Sequence, residues 1–252
     1  MTRYAARLNG FAVMVMPIEF GMVAALEREL RPLLRRSERI RTTPDFVFYE
    51  LASAVIVCGG IGKAAAQRAA SAIISAYRPQ AVISVGFAGA LHAQLKIGNV
   101  FIASEVLDVA TGRRFRTETG EGLLATADKI AAQEQKRELA RSTAWAVDME
   151  AAGVAEIAQQ HGTSFFAVKA ISDESDFPMP AMNEFVNAAG KFRTAAFLTH
   201  VAVRPCMWRQ VRQLARNSAL AANALSEALD TLLAAGLVAT THRGDIVRQG
   251  SV

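Results

Sequence analysis

Two carboxylic acids stand where chemistry is easiest to place. Glu150 opens an apolar helical segment that Asp148 is placed to cap and that runs to Gln160, and Asp173 follows the apolar run 164–171, which reads as a strand. Helix start and strand end then meet at the carboxyl edge of a sheet, where α/β folds bind ligands, so both carboxyls can share one pocket, hold hydroxyls and pass protons. On spacing alone, the same two residues serve as well to complement a helix dipole and to cap the turn beyond the strand. A second feature is the turn Gly59-Gly60-Ile61-Gly62 ahead of a helix over Lys63–Tyr77. Its N–H groups suit an anion or a sugar, and equally a plain tight turn. It is no Walker A loop, because Val57 stands at the first glycine position and Ala64 replaces the magnesium-binding hydroxyl, and it lacks the third glycine of a dinucleotide fingerprint.

Other chemistries find little support. His92, His161, His200 and His242 have no ligand spacing and no Ser or Cys partner, so neither a metal site nor a hydrolase triad is expected. Cys58 and Cys206 are the only cysteines, which argues against a disulfide framework and fits a reducing cytoplasm. The net charge of +5 comes from 28 basic and 23 acidic residues that are interleaved, and Arg209, Arg212 and Arg216 fall on one helix face that reads as solvated, so no nucleic-acid partner is expected. The longest apolar stretch, 11–26, is broken by Pro17 and Glu19, and no later run reaches the roughly 18 uncharged residues of a membrane span. Arg3 and Arg7 precede a short apolar run, but no small-residue cleavage site follows, which speaks against a signal peptide.

The elements that must position the carboxyls follow from periodicity. With 52% hydrophobic and 20% charged residues, the 252-residue chain can bury a sizeable core, and short Val-, Ile- and Phe-rich runs alternate with Ala-rich helical segments. That pattern is α/β with a largely parallel sheet. A strand is expected over 20–25 and a helix over 26–36 with Leu26, Leu30, Leu33 and Leu34 on one face. A hairpin follows over 46–51 and Ala54–Cys58, then a strand over 81–85, a small-residue loop over 86–90 and a strand over 99–103. Residues 108–122 are polar and read as an exposed, flap-like excursion before a helix over 125–140, and helices fill most of 181–233. One domain over 18–235 is expected, with an N-terminal extension over 1–17 and a loosely held tail over 236–252.

Beyond spacing, the segments Ala146-Val147-Asp148-Met149-Glu150-Ala151 and Phe166-Ala167-Val168-Lys169-Ala170-Ile171-Ser172-Asp173 closely resemble the double signature of the nucleoside phosphorylase/nucleosidase superfamily, particularly its methylthioadenosine/S-adenosylhomocysteine nucleosidases. Three further segments match in order: Ala24-Ala25-Leu26-Glu27-Arg28-Glu29-Leu30, the Gly60-Ile61-Gly62-Lys63 turn, and the run from Val82 to Leu91. The resemblance implies a three-layer α/β/α sandwich around a central mixed sheet. It also implies a homodimer or larger homo-oligomer and no cofactor, with phosphate as co-substrate if the reaction is phosphorolytic.

Position by position, it makes Asp173 the acid that protonates a purine at N7, Glu150 the acceptor for ribose hydroxyls, Met149 a surface against the sugar and Glu29 the residue that activates water. Glu27 is the alternative for that last role. Phe87, Ala88, Gly89 and Ser172 are implied along the substrate. The residue types suit the chemistry, because breaking an N-ribosidic bond puts positive charge on the sugar and negative charge on the base. An acid at residue 173 needs a desolvated site, for which Phe165, Phe166, Val168 and Ile171 are suitable neighbours.

The sequence also departs from the nucleosidase pattern. Phe87 replaces a usual serine, and the segment between Ser104 and Asp148 is short. With Lys129, Arg204-Pro205 and Leu214-Ala215-Arg216-Asn217-Ser218, these features resemble a hopanoid-associated phosphorylase branch acting on adenine nucleosides with a long apolar 5′ substituent. Glu29 and the missing G-D-P-x-R phosphate motif favour hydrolysis. A nucleoside-binding protein without turnover is the rival of another class.

Overall fold

The computed structural model of the chain describes residues 5–8, 11–14, 18–179, 182–187 and 190–240. Strands β1 (Ala5–Leu8) and β2 (Phe11–Met14), within the expected extension, pair antiparallel as a separate two-stranded sheet. The main sheet holds eleven strands: β3 (Phe20–Ala24), β4 (Glu38–Thr42), β5 (Val47–Leu51), β6 (Ala54–Cys58), β7 (Ala81–Ala90), β8 (Val100–Ile102), β9 (Glu105–Asp108), β10 (Arg114–Arg116), β11 (Leu123–Thr126), β12 (Ala144–Asp148) and β13 (Ser164–Asp173). Their order is β10-β9-β11-β12-β7-β3-β6-β5-β4, with β13 beside β7 and β8 beyond β13. The sheet is mixed. β3 runs parallel to β6 and β7, and β7 to β13, whereas β12 meets the far end of β7 antiparallel.

Among the described residues the helices are α1 (Arg31–Leu34), α2 (Lys63–Tyr77), α3 (Gln133–Ala140), α4 (Ala151–His161), α5 (Thr194–Ala202) and α6 (Pro205–Thr240). The period of two along each strand sorts side chains between two helical layers. Val23, Val55, Val57 and Val82 pack with Ala66, Ala70 and Ile73 of α2 and Val154 and Ala158 of α4. The alternate residues Met22, Ile56 and Ile83 pack with Ala221, Leu225 and Leu229 of α6. The result is the three-layer α/β/α arrangement.

Several elements depart from expectation for physical reasons. The helix expected over 26–36 breaks into a 3-10 turn, Glu27–Leu30, followed by α1, because Pro32 at the start of α1 has no N–H to carry the earlier turn onward. The loop expected over 86–90 is strand. β13 pairs with β7 from Ser164↔Ala81 to Asp173↔Gly89, and β12 holds Ala90 and Gly89 from the other side. The residues there are small because side chains press on the backbone. A Cβ at Gly86 would lie 2.9 Å from Glu29 Oε2, and one at Gly89 would lie 2.8 Å from Asp173 Oδ2. Nor is 108–122 a flap: β9 and β10 form a hairpin at the sheet edge with Phe115 buried, and the charged residues around it are what an edge strand needs to avoid pairing with another chain. The helix expected over 125–140 divides into β11 and α3. In the expected tail, α6 kinks at Gly236, and 241–252 lie outside the described residues.

Candidate active site

A cavity of about 500 Å³ opens where the carboxyl ends of β3, β7, β12 and β13 meet α1, α3 and α6. Glu29, Phe87, Ala88, Gly89, Met149, Glu150, Ser172 and Asp173 all line it. Glu27 does not. It is exposed and accepts a hydrogen bond from the Tyr49 hydroxyl at 2.8 Å, which leaves Glu29 as the acid of that turn facing the cavity.

One end of the cavity is acidic. Glu29 is buried, packs against Gly86 and accepts from Leu26 N–H at 3.2 Å. Burial raises its pKa above the ordinary 4.5, against the pull of Lys169 and of the Leu26 and Ala25 N–H groups. Glu150 occupies the cap position of α4. Its Oε1 accepts from Gly62 N–H at 2.8 Å and its Oε2 from Met149 N–H at 3.3 Å. Its carboxyl is pushed up to about 8, first by burial and then by the charge of Asp148, with Lys169 opposing. Asp148, read from sequence as the helix cap, does accept from Ala151 N–H at 2.9 Å and also from the Thr126 hydroxyl at 2.7 Å. Lys169, 1% exposed, lies 3.0 Å from Asp148 and donates to the Ser84 hydroxyl at 3.0 Å. A single ammonium therefore serves a group of carboxyls, which is why burial dominates at Glu150.

The glycine turn proves to be part of this scaffold. Gly59 and Gly60 N–H groups donate to Ala24 and Ala25 carbonyls, Ile61 N–H to the Gly190 carbonyl and Gly62 N–H to Glu150. Gly62 adopts φ +97°, a conformation that favours glycine, and so aims its N–H at the carboxyl. These donors orient a protein side chain and leave none of the four for a ligand.

The other end holds Asp173, at the end of β13 and 3% exposed. Its partners differ from those expected. Phe165, Phe166, Val168 and Ile171 pack into the two core layers on either side of β13, whereas the carboxyl itself forms an ion pair with Lys136 Nζ and accepts from the Ser172 hydroxyl at 2.7 Å. Lys136, on α3, also donates to the Glu174 carbonyl at 2.8 Å. Met179, Met182, Phe192, Phe197, Val211 and Leu214 make a broad apolar wall, and Arg28, Arg31 and Arg35 also line the cavity. Among the described residues, no group of three or more His, Cys, Asp or Glu side chains is placed to hold a metal ion, and no helix is long and apolar enough to cross a membrane.

The family model described as the phosphorylase superfamily matches residues 16–121 and 109–203. The chain belongs to the phosphorylase superfamily. Membership makes it an enzyme of the nucleosidase and nucleoside phosphorylase class. Among its relatives, a 5′-methylthioadenosine/S-adenosylhomocysteine nucleosidase of Bacillus thuringiensis (strain Al Hakam) is 26% identical over 201 residues, covering 62% of this chain and 86% of that protein. The fold resembles the 5′-methylthioadenosine/S-adenosylhomocysteine nucleosidase of Colwellia psychrerythraea 34H solved with adenine (TM-score 0.65, 21% identity, 87% of this chain and 96% of that chain). It also resembles the futalosine hydrolase of Helicobacter pylori strain 26695 (TM-score 0.61, 20% identity, 85% and 99%).

Two site residues of this superfamily member escaped sequence reasoning. Lys169 left a signal, a cation in the middle of an apolar buried run, which must find a partner. Lys136 left a fainter one: it lies three residues before Leu139, on the buried face of α3.

Proposed function

We propose that this chain hydrolyses the N-glycosidic bond of a purine nucleoside, a 5′-substituted adenosine in particular. The observation that carries the reading is the placement of two carboxyl systems on one strand within one cavity: Glu29 presses on Gly86 and Asp173 on Gly89. Three residues of strand separate these points by about 10 Å, the scale of a ribosyl purine. In the proposed reaction the base lies at the Asp173 end and Glu150 holds the ribose hydroxyls. Met149 packs against the sugar, and ionised Glu29 takes a proton from the attacking water. As the bond to the base lengthens, positive charge grows on the sugar beside these carboxyls, and a proton delivered at the base end stabilises the leaving group.

Water is favoured over phosphate as nucleophile because Glu29 faces the cavity, where it can take a proton from water, and because Gly21 is followed by Met22, Val23 and Ala24 in place of a G-D-P-x-R phosphate motif. The apolar wall of Met179, Met182, Phe192, Phe197, Val211 and Leu214 supports a second reading, in which the 5′ substituent is long and apolar, as the resemblance to the hopanoid-associated branch implies. Exposed Leu198, Val203 and Trp208 on and between α5 and α6 support the homo-oligomer, and the free Cys58 and Cys206 suit a cytoplasmic setting. Incubation with methylthioadenosine, S-adenosylhomocysteine, adenosine and inosine, with and without phosphate, tests the reading by chromatography of released base. Release from the 5′-substituted adenosines in phosphate-free buffer is expected, and no base from any substrate would reject it.

A further inference from the structure

We infer that the cavity has an arginine-lined mouth between α1 and α6, which binds a carboxylate carried at the end of the substrate's 5′ substituent. The inference rests on the nucleoside-cleaving reading and narrows its substrate class. Arg28, Arg31 and Arg35 fall three and four residues apart, on one face of the run from the 3-10 turn through α1, and all three line the cavity. On the other face Leu30 and Leu33 are buried and pack with Leu225 and Leu229 of α6. Arg36, next in the chain, forms an ion pair with Asp230 and so ties the end of α1 to α6. The three cavity arginines have no such partner, because none of them forms an ion pair among the described residues. Arg28 lies over the Phe192 ring, 5.5 Å from its centroid, a contact that orients the guanidinium plane and leaves its edge to donate.

Charge around the cavity is sorted by depth. Glu29, Asp148 and Asp173 are buried and Glu150 is half-buried, whereas the exposed charged residues of the lining, Arg28, Arg31, Arg35 and Lys129, are all cations. Guanidiniums at a water-filled mouth keep their hydration until a carboxylate arrives, which then accepts two N–H groups from one fork. The facing wall changes in the same direction. Along α6 the lining passes from Val211 and Leu214 to Ala215, Ser218, Ala219 and Asn223, from apolar bulk to small side chains, a hydroxyl and an amide. From 211 to 223 the helix rises about 18 Å, which exceeds a ribosyl purine by about 8 Å. That surplus takes a short chain with its apolar stem on Val211 and Leu214 and its charged end at the arginines. An anion held so far from C1′ is bound alike in substrate and transition state, so its effect falls on KM and not on kcat.

Three adenosines test the assignment, each with a 5′ thioether tail of the same length and shape, ending in a carboxylate, in its primary amide or in a branched alkyl group. Adenine release is measured in phosphate-free buffer at low salt, and again with sodium chloride or inorganic phosphate added. The carboxylate is expected to exceed the amide by about 10-fold in kcat/KM, through KM, and the advantage should shrink as salt screens it. Replacing Arg31→Gln and Arg35→Gln together should bring the carboxylate-to-amide ratio to about 1. An amide or alkyl tail that serves as well as the carboxylate in the wild type would overturn the inference. So would a double variant that loses all three substrates in proportion, and if that loss accompanies a requirement for inorganic phosphate, the arginines hold the nucleophile instead. Should no probe be cleaved, the nucleoside reading fails by itself, and calorimetric titration still decides the subsite: tighter binding of the carboxylate than of the amide by the wild type, lost in the double variant, supports it, and equal binding rejects it.

Discussion

Glu150 offers the sharpest physical test, because its carboxyl is held neutral well into the physiological range. Its pKa stands at about 8 against an ordinary 4.5, and the causes are identifiable: burial first, then Asp148 and Glu29, with Lys169 and the Gly62 N–H acting the other way. Between those two values the folded chain keeps a proton that the unfolded chain has lost. The native state therefore binds more protons, and stability falls as pH rises through the window. A gap of about 3.5 at roughly 1.36 kcal/mol per unit sets an upper limit near 5 kcal/mol, and water in the cavity that Glu150 lines should reduce the effect to about 2–3 kcal/mol. Glu150→Gln cannot titrate, so its stability relative to the wild type should climb with pH from 5 to about 8 and then level off. Glu29, raised in the same direction, is present in both proteins and largely cancels. Urea denaturation of the two proteins at fixed pH values from 5 to 9 measures the difference. A difference that stays constant across that range, or that turns against Gln at high pH, would refute the reasoning.

Four further outcomes follow from the same geometry. Glu29→Gln should fold, since the amide oxygen can still accept from Leu26 N–H, yet lower kcat by about 100-fold or more, measured as base release. In the wild type, the rate should fall on the acid side through a pKa above 4.5, because Glu29 must be ionised to take a proton from water; a pH–rate profile without that limb would count against its role. Gly86→Ala and Gly89→Ala should each cut activity sharply while leaving most of the fold, the first by displacing Glu29 at a backbone φ of +146° and the second by displacing Asp173; circular dichroism and steady-state kinetics separate the two effects. Lys169→Met should cost roughly 3–5 kcal/mol in chemical denaturation, because it strands Asp148 as a buried charge, and Lys169→Met combined with Asp148→Asn should recover part of the loss.

Which features were legible from sequence follows from where the physics is local. The helix Lys63–Tyr77 is found at its expected bounds, because periodicity and the flanking Gly62 and Pro79 act within a few residues; β13 begins at Ser164 as expected but runs two residues past Ile171, to Asp173, because pairing with β7 continues there. The stretch from Gly86 to Ala90 looks like a turn in composition. It is held extended by β13 and β12, partners more than 50 residues away, and its glycines are needed for two carboxyls that press on the strand. Similarly, β10 is polar because it lies at an edge, a property of the sheet and not of its own three residues. At the site, Asp173 and Glu150 were visible because each stands at the boundary of a periodic segment. The cation beside Asp173 was hidden in Gln-Glu-Gln-Lys-Arg-Glu-Leu-Ala, which reads as a solvated helix until α3 turns Lys136 and Leu139 inward.

The most direct measurement follows the oxygen atom. A 5′-substituted adenosine is turned over in ¹⁸O-labelled water containing inorganic phosphate, and the products are read by mass spectrometry. Cleavage at the glycosidic bond with water as nucleophile predicts free adenine and a ribose carrying ¹⁸O at C1, in equal amounts. A sugar 1-phosphate would contradict the hydrolytic chemistry assigned to Glu29, and intact nucleoside after prolonged incubation with folded protein would contradict the account of the cavity itself.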